Sequence, residues 1–316
     1  MYLITGGAGF IGSSLARELT RYQQQVRVFD NFSSGRRENL EPLGDRIEVV
    51  EGDVRDLAAV RQAMAGIRYV LHHAATRSQD EPGSTVEVNV LGTLNTLVAA
   101  REAGVERLVY GSSCAVYGDS HIRLQDEDQR TLPLSPYGVS KLAGELYCRL
   151  FSRLYGLDTV SLRYFNVFGP GPEPDPDDTP VIPRFILMAL RGETLPVHGD
   201  GLQARDFTYI SDVVQANLLA ATAPNVRGEV FNVGCGESHA IVDVVLLLSR
   251  IFGREIPWRR VPARKGDVRR TEADICKAKR LLGYEVEVEF PVGLARTVKH
   301  FTQASRAGQA LVEGAR

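Results

Sequence analysis

The sequence predicts an α/β protein, in which a doubly wound parallel sheet is followed by a smaller mixed α/β part. Three observations support this prediction. Short apolar strands alternate with longer helical segments through the first half of the chain, a glycine-rich turn follows the first strand, and the composition changes after Phe168. Strand–helix alternation with short connections is typical of a parallel sheet that helices cover on both faces.

The individual elements follow from apolar runs and from helical periodicity. We expect strands at about 2–5, 26–30, 47–51, 68–73, 106–112 and 158–164. Helices between and after them are expected at about 11–22, 56–65, 84–103 and 137–155.

The chain changes character at Gly169. The stretch GPGPEPDPDDTP, Gly169 to Pro180, is too rich in proline, glycine and acidic residues to form a regular element. Later helices at about 181–191, 211–223, 239–252 and 290–304 indicate a smaller part that caps the sheet. We therefore predict a first domain of residues 1–168 and a substrate-binding part of residues 169–316, with the chain crossing back to the main sheet.

Composition and charge exclude several classes of protein. The 316 residues carry 37 basic and 39 acidic side chains, which gives a net charge of −2 and no basic field for nucleic acid or an anionic membrane. Apolar runs such as Val244 to Leu248 are too short to span a bilayer. Met1 leads directly into the first strand, so we expect no signal peptide. The four scattered cysteines favour a cytoplasmic protein and predict no metal site.

Two adjacent histidines, His72 and His73, end the fourth predicted strand. Neighbouring residues of a strand point to opposite faces of the sheet. We therefore expect two structural histidines and not a pair of ligands.

The glycine-rich turn lies in YLITGGAGFIGSSLARELT, which begins at Tyr2. Gly6, Gly9 and Gly12 give the spacing G-x-x-G-x-x-G between an apolar strand and a helix. Glycine at this turn lets the backbone approach a pyrophosphate, and the helix N-terminus offers free N–H groups to the phosphates. The turn therefore predicts a dinucleotide site in a Rossmann sheet; the alternative is a glycine-rich turn without a ligand.

Acidic residues at the next two strand ends suit an adenosine. Asp30 lies 18 residues beyond Gly12, near the expected distance for the acid that bonds the ribose. A carboxylate there favours NAD over NADP, although Arg36 and Arg37 follow closely and keep NADP as a second option. Asp53 at the end of the third strand could bond the adenine amine.

The fourth strand ends in small residues. Ala74 and Ala75 in LHHAAT would let the cofactor lie against the backbone. This feature is consistent with a dinucleotide at the carboxyl edge of the sheet.

A tyrosine and a lysine stand one helical turn apart in SPYGVSK. The chain has only five lysines, and Lys141 lies four residues after Tyr137. Residues i and i+4 share a helix face, and an ammonium there lowers the pKa of a phenol from its usual value of about 10. Ser113, in YGSSCAVYG, ends the fifth strand where ligands bind in open α/β sheets. For each motif alone, a surface helix or a polar turn is the alternative.

Taken together, these motifs resemble the extended short-chain dehydrogenase/reductase family, and within it the nucleotide-sugar 4-epimerases. The matching pieces run in order along almost the whole chain: TGGAGFIG, DNFSSG, GDVRD, HHAA, NVLGTLN, GSSCAVYG, SPYGVSKLAGE, RYFNVFGPG, ARDFTYISDV, FNVG and RKGDVRRTEADICKAKRLLGY.

The resemblance implies an NAD-dependent epimerase that inverts C4 of a UDP-hexose through a transient 4-keto sugar. It implies Ser113, Tyr137 and Lys141 as the catalytic set. The implied NAD contacts are Gly6, Gly9, Phe10, Ile11, Gly12, Asp30, Asn31, Ser33, Gly35, Asp53, Val54, Ala74, Ala75, Asn89, Tyr137 and Lys141. The implied substrate contacts are Ser113, Asn166, Val181, Ile182, Arg205, Arg264, Asp267 and Thr271.

Departures from the patterns of relatives bear on the substrate. Cys114 and Ala115 stand where related dehydratases and decarboxylases carry acidic residues, which disfavours both activities. Thr271 stands where some epimerases carry a tyrosine, so we expect room for UDP-GlcNAc and UDP-GalNAc beside UDP-glucose and UDP-galactose. The loop TRSQDE, residues 76–81, is shorter than in many relatives, and Arg77 within it could reach an acidic sugar.

Two alternatives follow from this comparison. The closer one is a UDP-glucuronate 4-epimerase. The other is a non-catalytic NAD-sensing protein, which the intact serine, tyrosine and lysine disfavour. The helices at about 84–103 and 137–155 resemble those that pair across a two-fold axis in this family, so a homodimer is expected.

Overall fold

The fold is described from a computed structural model for residues 1–77, 81–172, 179–263 and 266–314, with the side chains after residue 306 left out. The strands are β1 (Tyr2–Thr5), β2 (Val26–Asp30), β3 (Ile47–Glu51), β4 (Tyr69–His72), β5 (Arg107–Ser113), β6 (Thr159–Tyr164), β7 (Val167–Phe168), β8 (Leu195–His198), β9 (Ala204–Asp206), β10 (Thr208–Tyr209), β11 (Val230–Val233), β12 (Ser238–Ala240) and β13 (Trp258–Val261). The predicted strands and helices are all present, with ends that differ by a residue or two, except that the last helix, predicted to end at 304, continues to Gly314.

The helices connect these strands. They are α1 (Phe10–Arg21), α2 (Leu57–Ala63), α3 (Pro82–Thr85), α4 (Gly92–Glu102), α5 (Pro136–Leu154), α6 (Val181–Leu190), α7 (Ile210–Thr222), α8 (Ile241–Phe252), α9 (Cys276–Leu282) and α10 (Phe290–Gly314). A π-helical stretch, Val86–Leu91, joins α3 to α4, so these elements form one continuous helical segment. Among the described residues, no helix combines the length and apolar character that crossing a bilayer requires.

Seven parallel strands form the main sheet in the order β3-β2-β1-β4-β5-β6-β11. The chain winds outward from β1 in one direction and from β4 in the other. In such doubly wound sheets, ligands bind beyond the carboxyl ends of the strands at the point where the order reverses. The predicted α/β fold with a doubly wound parallel sheet is therefore confirmed, and the site is expected above β1 and β4.

Helices cover both faces of this sheet. Leu15 of α1 and Val213 of α7 belong to the buried cluster on one face, whereas Val60 of α2, Leu97 of α4 and Phe151 of α5 belong to the cluster on the other. Burial of such apolar side chains is the main force that holds the layers together. Because α7 and β11 follow residue 168 yet lie in these layers, the chain returns to the main sheet after entering the second part. The division at residue 168 stays a prediction.

The second part has a core of its own beside the carboxyl edge of the sheet. Short strands pair two by two, β7 with β10, β8 with β13, and β9 with β12. Helices α6, α8 and α10 pack over them around buried residues such as Phe185, Leu195, Val244 and Leu294. This arrangement places β9 and the first turn of α6 next to the ends of the main strands, where they can line a cavity.

The two adjacent histidines are structural, as predicted. His72 is held between the hydroxyls of Thr5 and Thr93, 2.6 and 2.9 Å from its two ring nitrogens. Thr93 donates to the carbonyl of Asn89, so Nε2 of His72 must carry the proton that Thr93 accepts. His73 faces the other side of the sheet, with its Nε2 3.2 Å from Oδ1 of Asn217. Burial lowers the pKa of each histidine to about 3, so both rings are neutral.

These pKa values predict the pH dependence of folding. The folded pKa is about 3 and the ordinary value is 6.5, so between these values the unfolded chain binds more protons and stability rises with pH. His73→Gln should make denaturant-measured stability less steep between about pH 4 and 6, by up to about 1.4 kcal/mol per pH unit. The exposed His121 gives a matched control, since His121→Gln should leave the slope unchanged. A wild-type slope in His73→Gln would contradict this account.

Candidate active site

The glycine turn is packed against the end of the fourth strand. Gly6 has a φ of +67°, and a Cβ there would lie 2.6 Å from the backbone nitrogen of Ala74. At Gly12, a Cβ would collide with the carbonyl of Gly6, so the first turn of α1 needs glycine there too. Helix α1 begins at Phe10 with no side-chain cap on its N-terminus, which leaves free N–H groups beside the turn. These features fit the pyrophosphate of a dinucleotide.

Asp30 is joined to this turn by hydrogen bonds. It is buried at the end of β2, where Oδ2 accepts from the N–H of Ala8 at 2.9 Å and Oδ1 accepts from that of Phe32 at 2.8 Å. Gly35 passes close by, since a Cβ there would lie 3.0 Å from Oδ2. Each carboxylate oxygen has a second lone pair, so Asp30 can also accept from a ribose hydroxyl.

The residues predicted to surround the adenosine form a bonded group. Asn31 donates to Asp53 at 2.9 Å and accepts from the hydroxyl of Ser33 at 2.7 Å. Hydrogen bonds from Arg55 hold the pKa of Asp53 well below its usual range, so the carboxylate is ionised. Val54 is buried beneath α4, where it contacts the backbone at Gly92. Arg55 is a partner of Asp53 that sequence reasoning missed.

Asn89 lies behind the loop that follows β4. Its side-chain amide exchanges two hydrogen bonds with the backbone of Thr76, each 2.8 Å long, and donates to Ser140 of α5 at 2.9 Å. The side chain is buried. In this arrangement Asn89 ties the loop of Ala74 and Ala75 to the helix of Tyr137, and its direct contact with NAD stays a prediction.

The fifth strand and α5 bring the predicted catalytic residues together. Ser113 ends β5, and α5 begins at Pro136, capped by the hydroxyl of Ser135. The close approach depends on Gly138, because a Cβ there would lie 2.7 Å from the carbonyl of Ala115. The first turn of α5, which carries Tyr137, therefore abuts the turn that follows Ser113.

Lys141 is buried one turn beyond Tyr137. Its Nζ donates to the carbonyl of Gly111 at 2.8 Å and lies 5.7 Å from the centre of the Tyr137 ring. Burial lowers the pKa of Lys141 to about 8. Cys114, the residue after Ser113, is half-buried, and loss of solvent raises its pKa to about 11, so it remains a neutral thiol at neutral pH.

A cavity of about 330 Å³ is lined by residues of β7, α6, β8 and β9. Its lining includes six residues that the sequence singled out: Arg77, Asn166, Val181, Ile182, Arg205 and Asp267. It also includes Arg184 and His198, which sequence reasoning missed. Among the described residues, its charged lining consists of three arginines, an aspartate and a histidine, and guanidinium groups suit phosphate or carboxylate oxygens. Arg264 lies outside the described residues.

The substrate candidates are bonded to one another. Arg205 forms an ion pair with Asp267, and Asn166 donates to the hydroxyl of Thr271 at 3.1 Å. Thr271 is buried and does not line the cavity; it supports Asn166 from behind. Its role in accepting acetamido sugars stays a prediction.

Asp206 joins the segments that carry these residues. Its buried carboxylate accepts from the backbone N–H groups of Cys235, Gly236 and Ala273 at 2.8 to 3.1 Å, and its carbonyl accepts from Asn166 at 2.8 Å. Burial raises the pKa of Asp206 to about 6, against these donors, which favour the charged form. The sequence offered no signal for this role beyond the position of Asp206 next to Arg205.

No cluster of three or more potential metal ligands occurs in the part of the chain that the structure describes. The residues at the carboxyl edge fit a dinucleotide instead. A tight glycine turn, an uncapped helix N-terminus and an ionisable acid at the end of β2 lie together, as NAD requires.

Comparison with known proteins agrees with this geometry. The model of the NAD dependent epimerase/dehydratase family matches residues 2–234. The UDP-glucose 4-epimerase of Mycolicibacterium smegmatis is 36% identical over 313 residues, which cover 96% of this chain and 99% of the relative. The UDP-glucuronate 4-epimerase of Thermodesulfobacterium geofontis is 33% identical, with 94% of both chains covered.

Comparison with a solved structure leads to the same family. The UDP-glucose 4-epimerase of Thermotoga maritima, determined with UDP-glucose, superposes with a TM-score of 0.91 at 36% identity, covering 96% of this chain and 99% of that one. The resemblance drawn from the motifs is thereby confirmed. This chain belongs to the NAD-dependent epimerase/dehydratase family, and NAD is its cofactor.

Proposed function

We propose that the protein inverts C4 of a UDP-hexose, interconverting UDP-glucose and UDP-galactose through a transient 4-keto sugar. The observation that carries this proposal is the close packing of α5, with Tyr137 and the buried Lys141, against the end of β5 at Ser113. A cavity whose lining includes three arginines adds to it. The similarity to two UDP-glucose 4-epimerases along nearly the whole chain supports it.

In this mechanism Tyr137 is the acid–base group. Its phenolate takes the proton of the sugar 4-hydroxyl and later returns it. The Lys141 ammonium favours the phenolate by charge, and Ser113 hydrogen-bonds the 4-oxygen. NAD, held at the glycine turn by residues such as Gly6 and Asp30, would supply the hydride chemistry at C4. Because each cycle regenerates NAD, we expect the cofactor to stay bound between turnovers.

The cavity would hold the rest of the substrate by charge and shape. Arg205 would bind the diphosphate, which frees Asp267 from its ion pair to accept from a ribose hydroxyl. Asn166 would meet the diphosphate, and Val181 and Ile182 would pack near the uracil. The ion pair of Arg205 and Asp267 keeps both charges compensated before the substrate arrives.

Replacing the tyrosine tests the mechanism. Tyr137→Phe should lower kcat at least about a hundredfold, because it removes general acid–base catalysis. Bound NAD and the unfolding midpoint should be unchanged. Tyr147→Phe, on the same helix, is the matched control and should keep full activity. Turnover like that of the wild type in Tyr137→Phe would refute the assignment.

The pocket also favours a second candidate, a UDP-glucuronate 4-epimerase. Arg77 lies in the shortened loop and lines the cavity. Its neighbour Thr76 is bonded to Asn89, which in turn bonds α5, so Arg77 follows directly on the loop that is tied to the catalytic helix. A guanidinium there could hold a sugar carboxylate. The similarity to a UDP-glucuronate 4-epimerase supports this candidate.

Two substrates measured on one variant separate the candidates. Arg77→Gln should lower kcat/KM for UDP-glucuronate at least about tenfold, the value of a lost hydrogen bond between charged groups. The same change should leave kcat/KM for UDP-galactose within about threefold, since a neutral sugar makes no ion pair with the loop. Equal losses on both substrates would argue against contact with a carboxylate.

Acetamido sugars are a further extension of the proposed substrate range. A small threonine at position 271 should leave more room than a tyrosine would, and we infer that UDP-GlcNAc and UDP-GalNAc are also accepted. Support comes from the placement of Thr271 behind Asn166, since a larger side chain there would push Asn166 toward the cavity.

We also propose a homodimer that pairs α5, and the continuous helical segment from α3 to α4, with their copies. Val139, Leu146, Leu150 and Leu154 expose between 41% and 66% of their surfaces along α5. Val86 and Leu91, in the helical segment beside α5, are exposed as well. Contiguous apolar surface of this kind is typical of an interaction face.

A charge on this face should disrupt the dimer. Leu150→Glu should convert a dimer into a monomer in sedimentation velocity, because burying an unpaired carboxylate is costly. Leu246→Glu changes an exposed leucine on α8, outside this face, and should leave the mass unchanged. A monomeric wild type, or a Leu150→Glu protein that stays dimeric, would contradict the interface.

A further inference from the structure

A second polar side chain anchors the catalytic helix to β5. Glu145 follows Lys141 by one helical turn, so Tyr137, Lys141 and Glu145 share one face of α5. Lys141 donates to the carbonyl of Gly111, and Oε1 of Glu145 accepts from the hydroxyl of Ser112 at 2.5 Å. Two successive turns of the helix are thus fastened to two successive residues of the strand that ends in Ser113.

We propose that Glu145 is a positioning residue, which sets the register of α5 against β5 and thereby places Tyr137 opposite Ser113. This inference rests on the proposed function. In the proposed mechanism Glu145 touches neither substrate nor cofactor. It acts by holding Tyr137 and Lys141 in place.

The packing of the two elements explains why such an anchor is needed. Gly138 and Gly144 allow α5 to lie close against the turn at Ala115 and the phenol of Tyr110. Because glycine has no side chain, the contacts at Gly138 and Gly144 do little to stop α5 from sliding along its own axis. Directional hydrogen bonds at Gly111 and Ser112 supply this resistance, since a shift of about 1 Å would break them.

Glu145 is itself held rigidly from below. Its two oxygens accept from Nε and a terminal nitrogen of Arg163 of β6, at 2.9 and 2.8 Å. The other terminal nitrogen of Arg163 donates to the phenol of Tyr117, which donates to Asn232 of β11. These hydrogen bonds therefore fix the position of α5 relative to β5, β6 and β11.

Stability alone gives little reason for this arrangement. Both partners of the Glu145–Arg163 pair are buried. Desolvation offsets much of the attraction in such pairs, and apolar residues of similar volume often stabilise a core as well. Geometry is what the pair adds, because a bidentate guanidinium fixes both distance and orientation.

The charge of Glu145 also acts on Lys141. Burial lowers the pKa of Lys141, and the carboxylate of Glu145 opposes this shift. In the described residues, the titratable groups around Lys141 are His72 and His73 of β4, Tyr110 of β5, and Tyr137, Glu145 and Cys148 of α5. Glu145 is the acidic side chain in this set, so its removal should make Lys141 lose its proton more easily.

Two variants test the proposal, with NAD content and unfolding midpoint measured for each. Glu145→Gln should lower kcat by about ten- to a hundredfold, as misplaced catalytic groups do, while KM stays within about threefold. Ser112→Ala removes only the bond to β5 and leaves the ion pair, so it should lower kcat with folding intact. Glu102→Gln, which breaks the exposed pair with Arg61, is the control and should change nothing.

A double variant separates positioning from a general structural role. If Glu145 acts through Tyr137, adding Glu145→Gln to Tyr137→Phe should cost no further activity. Three results would overturn the proposal. The double variant could lose as much further activity as Glu145→Gln does alone, both single variants could keep the wild-type kcat, or the fall in kcat could be explained by unfolding or by loss of NAD.

A spectroscopic measurement keeps this test independent of the reaction. The near-ultraviolet titration of Tyr137 is obtained as the difference between each protein and its Tyr137→Phe counterpart. In Glu145→Gln, Tyr137 should ionise at a higher pH, because a less protonated Lys141 stabilises the phenolate less. If the wild type turned over no nucleotide sugar, the proposed function would fail, and an unchanged titration would separately overturn the role of Glu145.

Discussion

A buried ammonium holds the candidate active site together. Lys141 lies out of water against β5, where burial disfavours its charge and its hydrogen bond to Gly111 supplies one of the few compensations. The helix that carries it must therefore pack closely enough to bring the ammonium to that carbonyl. This requirement explains the glycines on the inner face of α5, and it places Tyr137 at the carboxyl end of the strands, where a ligand would bind.

The opposite side of the site is built from charges that satisfy each other. Arg205 pairs with Asp267, and Asn166 is bonded to Thr271 and to the backbone at Asp206. Such a cavity can exist before the substrate arrives without leaving an uncompensated charge. A diphosphate would replace Asp267 on the guanidinium and release the carboxylate for a neutral donor. The pocket thus suits an anionic nucleotide, and Arg77 is the proposed contact for an acidic sugar.

Local sequence patterns predicted the main sheet and the two motifs above it. Gly6 and Gly12 occupy a turn where a Cβ would collide with the backbone, so their spacing carried direct structural information. The tyrosine and lysine of SPYGVSK were visible because a helix brings residues four apart onto one face. These signals depend on neighbours in the sequence, which is why they could be read without a structure.

The supporting residues left no comparable signal. Glu145 meets Arg163 across 18 residues, and Asp206 meets Ala273 across 67, so nothing in either local pattern indicates the partner. The strands of the second part are two to four residues long, too short for a period to be recognised. Arg184 and His198 line the cavity only because α6 and β8 fold back over it. Long-range pairing of this kind depends on the tertiary fold.

The most direct measurement is an NMR assay of the purified protein, without added NAD, on UDP-glucose, UDP-galactose, UDP-GlcNAc, UDP-GalNAc and UDP-glucuronate. We predict inversion at C4 for UDP-glucose and UDP-galactose, because NAD that is regenerated in each cycle stays bound. The pattern across the other sugars would define the sugar end of the pocket. No inversion of any of the five, even with NAD supplied, would contradict the proposed epimerase.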